Sequence, residues 1–179
     1  ENYNIADAIY GASLLHACIN RGDIIRNTGI YHLINVMGNY RIDHKKIWKT
    51  PTTLVLELFT KYHKGVILDS KIKTDNFISP KLGKQPIYKN NKMIDAAVTK
   101  NHETYCVSIV NKSENKSVTI KIKNNLKITK TFTINGSNKT DMNDYQNVNK
   151  VNIKKNILKT QDSHVTIPSH SINIILLKD

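Results

Sequence analysis

The chain has 179 residues, of which 39% are apolar and 23% are charged, and its formal net charge is +13. This is enough apolar material for one packed domain, or for a small domain with part of another, while two cysteines are too few for a disulfide scaffold or a four-cysteine zinc site. The basic excess is spread along the predicted strands and turns, which argues against a nucleic-acid partner, and no apolar run reaches the roughly 18 residues of a membrane span.

The first predicted element is a helix over residues 4–21, whose apolar residues recur at three- and four-residue spacing. These residues are Ile5, Ala8, Ile9, Ala12, Leu15 and Ile19. Asn4 is the expected N-cap, and Arg21 and Gly22 are expected to close the last turn with a cation and a C′ glycine. Cys18 widens the apolar stripe, so we expect a helix buried on more than one side and an unreactive thiol.

A nearly continuous apolar run at residues 30–37 follows this helix. Such a run is typical of a strand covered on both faces, as in a parallel sheet. A second helix is expected to begin with Thr50 as N-cap and Pro51 as first helical residue. It is expected to end at Gly65, with His63 as a cation near its C-terminus. The succession of helix, buried strand and helix is the pattern of α/β structure.

After Gly65 the chain changes to short alternating segments, which predict strands separated by turns. The predicted strands cover residues 66–68, 93–98, 105–110, 118–122, 128–134, 165–167 and 172–177, and residues 135–156 are predicted to form a polar loop. The second and third of these strands are expected to pair as a hairpin. Regularly spaced strands of this kind favour an antiparallel sandwich. We therefore expect an α+β chain, with helix and strand mixed before residue 65 and short strands after it.

The side chains that usually carry catalysis are few and scattered. Glutamate occurs at positions 1, 57, 103 and 114, and no two of these offer the facing pair that acid and nucleophile chemistry needs; Glu57 is expected to be a structural or surface helix residue. The seven histidines form no metal-ligand pair, so we predict no metal and no cofactor. Cys106 is expected to be an inert residue of a strand core.

Several motifs occur in a characteristic order. Residues 6–8 read Ala-Asp-Ala and lead through the first helix to Arg-Gly-Asp-Ile-Ile at 21–25; residues 31–36 read Tyr-His-Leu-Ile-Asn-Val. Residues 50–63 read Thr-Pro-Thr-Thr-Leu-Val-Leu-Glu-Leu-Phe-Thr-Lys-Tyr-His, and Ile-Asp-Ala-Ala-Val at 94–98, Val-Ser-Ile-Val-Asn at 107–111 and Ile-Pro-Ser-His-Ser at 167–171 follow. Together they resemble the C-terminal part of the family 51 glycoside hydrolases, the α-L-arabinofuranosidases, and the stretch at 50–63 is the most specific.

This resemblance implies a (β/α)8 barrel that carries the active site, followed by a jelly-roll-like sandwich. It implies a retaining enzyme that releases terminal non-reducing L-arabinofuranose from polysaccharides or oligosaccharides, with two glutamates as acid/base and nucleophile. Both family glutamates lie on earlier barrel strands, so the resemblance implies that this chain contains no catalytic residue and is inactive alone. Residues 1–65 would be the last helix–strand–helix of the barrel, and residues 66–179 the sandwich. The absence of an initial Met favours a chain that begins in mid-protein.

Three residues are the site candidates that the resemblance suggests. His32 stands where the family has a glutamine that hydrogen-bonds the arabinose, so it is either a remodelled sugar contact or a residue that only packs nearby. Asn35 keeps the family's position, and we expect it to form structural hydrogen bonds at the end of the strand. Trp48 is expected either to pack at the barrel rim or to stack on a sugar.

Two other functions are left open by the residues. One is a stand-alone β-sandwich module that binds carbohydrate or a partner without catalysis. The other is a basic nucleic-acid-binding protein, whose affinity would fall steeply with salt. The arabinofuranosidase reading is preferred, with an arabinose-containing glycan as substrate and no nucleic-acid or membrane partner. A cytoplasmic location and a homo-oligomeric parent are implied by resemblance alone.

Overall fold

The computed structural model describes residues 3–30, 32–36, 38–121, 126–157 and 164–178. Two helices are present in these ranges, α1 (Ile5–Ile19) and α2 (Pro51–Tyr62). The strands in chain order are β1 (His32–Ile34), β2 (Gly38–Asp43), β3 (Lys46–Lys49), β4 (Val66–Leu68), β5 (Asn76–Ser79), β6 (Tyr88–Lys92), β7 (Ile94–Asn101), β8 (Thr104–Asn111), β9 (Val118–Lys121), β10 (Lys127–Asn135), β11 (Ile153–Ile157), β12 (His164–Ile167) and β13 (Ser171–Lys178). The chain is therefore mostly β-sheet with two helices.

A six-stranded antiparallel sheet, here called the central sheet, organises the molecule in the order β11-β10-β13-β8-β7-β4. Strand β13 lies inside it, and its residues from Ser171 to Leu177 are all buried. Because successive side chains of a strand point to opposite faces, both faces of the sheet must be covered at this strand. The predicted last strand is thus one of the most deeply buried elements that the structure describes.

The two helices cover one face of the central sheet. The core on this side, called the helix-side core, contains Ile5, Ala8, Ala12 and Leu15 of α1, Leu54, Val55, Leu58 and Phe59 of α2, and Cys106, Val110, Phe132, Ile134, Ile172, Ile174 and Leu176 of the sheet, among others. The helical residues recur at three- and four-residue spacing, and this spacing places them on the faces that meet the sheet. The hydrophobic interior is therefore continuous across residue 65.

A second apolar layer, called the outer core, lies on the other face of the central sheet. It contains Ile94, Ile109, Ile128, Ile167, Ile175 and Leu177, with Val118, Ile120 and Val165 packed against it. Strands β9 and β12 pair antiparallel and supply the covering layer. The expected antiparallel sheets are thus present, and their second layer is two-stranded within the described ranges.

The predicted helix starts are confirmed. The Asn4 side chain accepts a hydrogen bond from the Asp7 N–H, and the Asp7 carboxylate accepts one from the Asn4 N–H, which together form a capping box. The Thr50 side chain accepts a hydrogen bond from the Thr53 N–H, and Pro51 occupies the first turn. Each cap satisfies a backbone donor that the helix itself leaves unpaired.

The predicted end of the first helix is wrong. Helix α1 stops at Ile19, and its C-cap is Asn20 in a right-handed conformation. The Asn20 N–H donates to the His16 carbonyl, and the Arg21 N–H donates to the Cys18 carbonyl. Gly22 is not among the glycines with positive φ, which are Gly65 and Gly83. A Cβ at position 22 would overlap only Ile67 Cδ1, the end of a flexible side chain that is 42% exposed.

The run at residues 30–37, predicted to be a buried strand, is buried at Ile30 but exposed at residues 32–36. Strand β1 is short, its residues are exposed, and Leu33 and Val36 keep 67% and 76% of their surface. As predicted, β1 pairs in parallel, and its partner is β2. Strands β2 and β3 form a hairpin that the sequence did not indicate. The described residues provide no layer over β1, which is why its apolar composition does not lead to burial. Residues 31 and 37 lie outside the described ranges.

The hairpin predicted after residue 93 is confirmed, with β7 and β8 in antiparallel register and His102 in the turn at a φ of 52°. The hairpin of β5 and β6 was not predicted. Strand β11 occupies the end of the stretch predicted as a polar loop, where it pairs with β10 at the edge of the central sheet. Position 122, predicted as the end of a strand, lies outside the described residues.

Gly65 permits a comparison between two glycines with positive φ. Gly65 has a φ of +78°, and a Cβ there would overlap the Lys100 carbonyl oxygen, whereas Gly83 has a φ of +56° and open space around it. We expect Gly83→Ala to lower the free energy of unfolding by about 1 kcal/mol through backbone strain alone. Gly65→Ala should lower it by about 2–4 kcal/mol, because strain and overlap act together. Urea unfolding of both variants measures the difference, and equal losses would contradict the close contact between Gly65 and β7.

Candidate functional site

His32 begins the short strand β1 at the surface of the three-stranded sheet formed by β1, β2 and β3. Its imidazole is exposed, and its backbone pairs with Gly38 of β2. The Asn39 side chain donates to the carbonyls of Ile30 at 3.1 Å and His32 at 3.3 Å, which fixes the backbone on either side of residue 31. The imidazole is thus held on an ordered backbone and open to solvent in this chain.

Asn35 lies immediately after β1 and shapes the turn into β2. Its φ is 52°, a left-handed conformation that asparagine tolerates better than most residues. Its N–H donates to the Tyr40 carbonyl at 2.8 Å, and its Oδ1 accepts from the Ile42 N–H at 2.8 Å. The side-chain oxygen of Asn35 is therefore used within the turn.

Trp48 lies on β3, opposite Arg41 of β2, and only 9% of its surface is exposed. Its ring packs edge-on against Tyr145, with 6.4 Å between the ring centroids and an interplanar angle of 76°. The indole Nε1 is buried and has no hydrogen-bond partner within the described part of the chain. Trp48 thus packs between the hairpin and the loop before β11, and its ring does not present an open face.

A cavity of about 380 Å³ adjoins Trp48. Lys49 and Glu57 lie in its wall and form an ion pair, with 2.6 Å between Nζ and Oε2. The hydrogen bond from this ammonium to Glu57 raises the pKa of Lys49. Glu57 is therefore a surface residue held by a structural partner, as its position in the helix predicts.

The other glutamates that the structure describes lie in separate loops, and Glu1 lies outside the described residues. Glu103 lies in the turn between β7 and β8, and Glu114 forms an ion pair with Lys139 in the loop after β8. Among the described residues, no group of three His, Cys, Asp or Glu side chains could hold a metal ion. No helix in the described ranges is long and apolar enough to cross a membrane.

A buried histidine cluster, which the sequence did not reveal, joins both helices to the central sheet. His16 Nε2 lies 2.7 Å from Ser108 Oγ, and His63 Nε2 lies 2.8 Å from the same oxygen. Ser108 Oγ is also 3.3 Å from the Ala97 carbonyl, and His63 Nδ1 is 3.1 Å from Thr99 Oγ1. The Ser108 hydroxyl has a single proton. If it donates that proton to the Ala97 carbonyl, its oxygen accepts hydrogen bonds from the Nε2–H groups of both imidazoles. His63 Nδ1 is then unprotonated and accepts a hydrogen bond from the Thr99 hydroxyl.

Burial controls the protonation of this cluster. It lowers the pKa of His16 to about 3 and the pKa of His63 to about 4. His63 is therefore neutral at pH 7 and serves as the C-cap of α2, not as the cation expected near the helix end. Burial also raises the pKa of the Cys106 thiol to about 12, which keeps it protonated, as expected for an inert residue; Cys18 is only half-buried.

Comparison with known proteins gives one family match and several structural matches. The family described as the alpha-L-arabinofuranosidase C-terminal domain matches residues 1–171. None of the curated protein sequences compared with the chain matches it.

The structural matches cover the whole chain but a minor part of each relative. The alpha-L-arabinofuranosidase from Thermotoga maritima, solved as an arabinose complex, has a TM-score of 0.89 and 17% identity, over 100% of this chain and 39% of that one. A family 51 alpha-L-arabinofuranosidase from Bifidobacterium longum has a TM-score of 0.83 and 19% identity, over 100% of this chain and 35% of its own. A family 30 xylanase from Clostridium acetobutylicum has a TM-score of 0.54 and 11% identity. At these identities the structural matches establish the fold.

Proposed function

Because the chain belongs to the alpha-L-arabinofuranosidase C-terminal domain family, we propose that it is the C-terminal portion of an α-L-arabinofuranosidase. The parent would be a retaining glycoside hydrolase that releases terminal non-reducing L-arabinofuranose from arabinose-containing glycans. The observation that carries this proposal is the superposition of the whole chain on 39% of the Thermotoga maritima enzyme. The catalytic glutamates would then lie in the remaining part of the parent protein.

The described residues favour a non-catalytic role for this chain within the parent enzyme. A retaining mechanism needs two carboxyl groups roughly 5–5.5 Å apart. Of the glutamates that the structure describes, Glu57 and Glu114 are paired with lysines on different elements, and Glu103 lies in an unrelated turn. The chain alone is therefore proposed to be inactive.

The proposed division of the parent assigns residues 1–65 to the end of its (β/α)8 barrel and residues 66–179 to its sandwich. Strands of such a barrel are covered on both faces and paired on both edges. In this chain β1 pairs only with β2 among the described strands and exposes Leu33 and Val36. These are the surfaces that neighbouring parts of a barrel would cover, which supports the assignment.

His32 is proposed to contact the arabinose, with Asn35 and Trp48 in structural roles beside it. Active sites of (β/α)8 barrels lie at the C-terminal ends of the strands, and His32 and Asn35 belong to the strand assigned as the last of the barrel. The exposed imidazole of His32 can donate or accept one hydrogen bond at each nitrogen. Asn35 would hold the turn that follows, because its Oδ1 binds the Ile42 N–H.

Replacing His32 in the parent enzyme tests this contact. We expect His32→Ala to lower kcat/KM for an aryl α-L-arabinofuranoside by about fivefold, the equivalent of one neutral hydrogen bond of about 1 kcal/mol. His32→Gln should retain most of the activity, because an amide can also bond a sugar hydroxyl. His102→Asn is the matched control, since His102 lies in an exposed sandwich turn at a φ that asparagine tolerates. Unchanged kinetics in His32→Ala would place the imidazole outside the sugar site.

The proposed function itself is tested on the native protein. An antibody against residues 66–179 would capture it from the source cells, and the captured protein would be assayed for release of L-arabinose from p-nitrophenyl α-L-arabinofuranoside. Arabinose release is expected, with no hydrolysis after capture by an unrelated antibody. Captured protein that binds the glycan without hydrolysing it would instead indicate a stand-alone carbohydrate-binding module.

A further inference from the structure

Few contacts hold the backbone around His32 in place. Strand β1 pairs with β2 at two positions, His32 with Gly38 and Ile34 with Tyr40, and its other edge has no partner among the described strands. The chain also leaves the interior at this point, since Ile30 is 7% exposed and His32 is exposed. A strand held on one edge at the rim of the core needs a further tie if its side chains are to keep a fixed direction.

Asn39 of β2 provides this tie. Carbonyl groups two residues apart on a strand point in the same direction, so a single amide can reach both of them. The Asn39 Nδ2 donates to the Ile30 carbonyl at 3.1 Å and to the His32 carbonyl at 3.3 Å. One hydrogen bond is made to the last buried residue and the other to the exposed histidine. The amide therefore fixes the backbone that carries the imidazole relative to the residue where the chain leaves the core.

The second helix in turn holds Asn39. The backbone carbonyl of Asn39 accepts a hydrogen bond from the Thr50 N–H at 3.0 Å and another from the Thr53 hydroxyl. Thr50 is the N-cap of α2, and the apolar face of α2 packs in the helix-side core. The backbone of His32 is thus connected through one residue to the packed interior of the molecule.

The other atom of the Asn39 amide indicates that the side chain adds little stability. Its Oδ1 is buried and has no hydrogen-bond partner within the described part of the chain. A buried acceptor without a partner costs free energy of the same order as the hydrogen bonds that the Nδ2 contributes. What the amide provides is therefore mainly geometry. We propose that Asn39 is a positioning residue that holds His32 in the direction needed for its contact with the sugar, an inference that rests on the proposed function.

A double-mutant cycle in the parent enzyme tests this role, with an aryl α-L-arabinofuranoside as substrate. We expect Asn39→Ala to lower kcat/KM by about fivefold, as expected for His32→Ala, because a displaced imidazole loses the same hydrogen bond. The two variants should also divide this loss between kcat and KM in the same proportion. The double variant should again lose about fivefold, whereas independent effects would multiply to about twenty-fivefold. Asn39→Asp keeps the shape without an N–H donor and should lose at least as much as Asn39→Ala.

Asn143→Ala is the matched control, because it removes a structural amide of the same type. Asn143 is 5% exposed, and its Nδ2 donates to the Lys49 carbonyl at 3.0 Å and to the Val151 carbonyl at 2.9 Å. Its Oδ1 accepts from the Val151 N–H at 2.7 Å, so both ends of this amide are hydrogen-bonded. We expect Asn143→Ala to lower the urea midpoint of the parent more than Asn39→Ala does, and to leave KM unchanged. This opposite ranking in stability and kinetics would not arise if Asn39 only stabilised the fold.

The outcomes separate this role from the proposed function. In an active parent, native kinetics in Asn39→Ala or Asn39→Asp would overturn the positioning role, as would losses that multiply in the double variant. A loss in Asn39→Ala beside unchanged kinetics in His32→Ala would overturn it too, because Asn39 would then act without His32. So would a lower kcat at unchanged KM that follows a loss of urea stability, since this reflects a smaller folded fraction. A parent protein that releases no arabinose would refute the proposed function, and the positioning role with it.

Discussion

Lowering the pH from 7 to 5 is expected to lower the free energy of unfolding by about 4 kcal/mol. His16 and His63 are buried against Ser108, and burial lowers their pKa values to about 3 and about 4, compared with 6.5 for a free imidazole. In the unfolded chain both imidazoles take up a proton as the pH falls through 6.5, whereas in the folded chain they stay neutral until the pH approaches 4. The contribution of the two neutral histidines to the free energy of unfolding is therefore fully present above about pH 6.5 and is lost progressively as the pH falls towards 4. At pH 5 each histidine accounts for about 2 kcal/mol.

The surroundings of the cluster support this sign. Asp95 is the charged group that favours protonation of His16, but it is held by Lys112 in an ion pair, and Lys112 and His63 both oppose that protonation. A charged His63 would also lose the hydrogen bond that Thr99 can donate to its Nδ1. Protonation is therefore expected to loosen the contact between the helices and the central sheet.

Urea unfolding at pH 7 and pH 5 measures the effect. The double variant His16→Gln/His63→Gln keeps a donor in each side chain but cannot titrate, so its stability should change by less than about 1 kcal/mol over the same range. His102→Asn removes an exposed histidine and should keep the full pH dependence. A native chain with equal stability at both pH values would refute the neutral buried cluster, as would a double variant with undiminished pH dependence.

Replacing either of two buried isoleucines of β13 with alanine should also lower the free energy of unfolding strongly, one on each face of the central sheet. Ile174 belongs to the helix-side core and Ile175 to the outer core, and neither has any exposed surface. Each change to alanine is expected to lower the free energy of unfolding by about 2–5 kcal/mol, through lost burial and the cavity left behind. Because the two side chains face opposite layers, each loss reports on the packing of its own layer.

Ile78→Ala provides the control for this pair, because Ile78 lies on β5 with 63% of its surface exposed. We expect this variant to stay within about 0.5 kcal/mol of the native chain. Urea denaturation of the four proteins tests the layering directly. A neutral Ile175→Ala would mean that β9 and β12 do not cover that face of the sheet.

The features that the sequence predicted well depend on neighbouring residues. The starts of both helices follow from side-chain caps at Asn4 and Thr50, whose hydrogen bonds reach only three residues along the chain. The hairpin of β7 and β8 likewise depends on alternation on either side of one tight turn. Such local patterns can be interpreted without knowledge of the tertiary structure.

The features that were missed depend on distant partners. His16 and His63 lie 92 and 45 residues from Ser108, so no local pattern could show that they share its hydroxyl. The apolar run that contains Leu33 correctly indicated a strand, but composition cannot show whether the covering layer belongs to the same 179 residues. Strand β11 is rich in lysine and asparagine and is defined by its pairing with β10 at a sheet edge, and not by hydrophobic alternation.

The size of the native protein tests the central claim most directly. If the 179 residues form 39% of the parent, as they do of the Thermotoga maritima enzyme, the parent mass is the 20.4 kDa of this chain divided by 0.39, about 52 kDa. We expect an antibody against residues 66–179 to detect a band of about that size in the source cells, in the same fractions as the arabinofuranosidase activity. A single band near 20.4 kDa, separated from that activity, would contradict the assignment of this chain to the C-terminal portion of the enzyme.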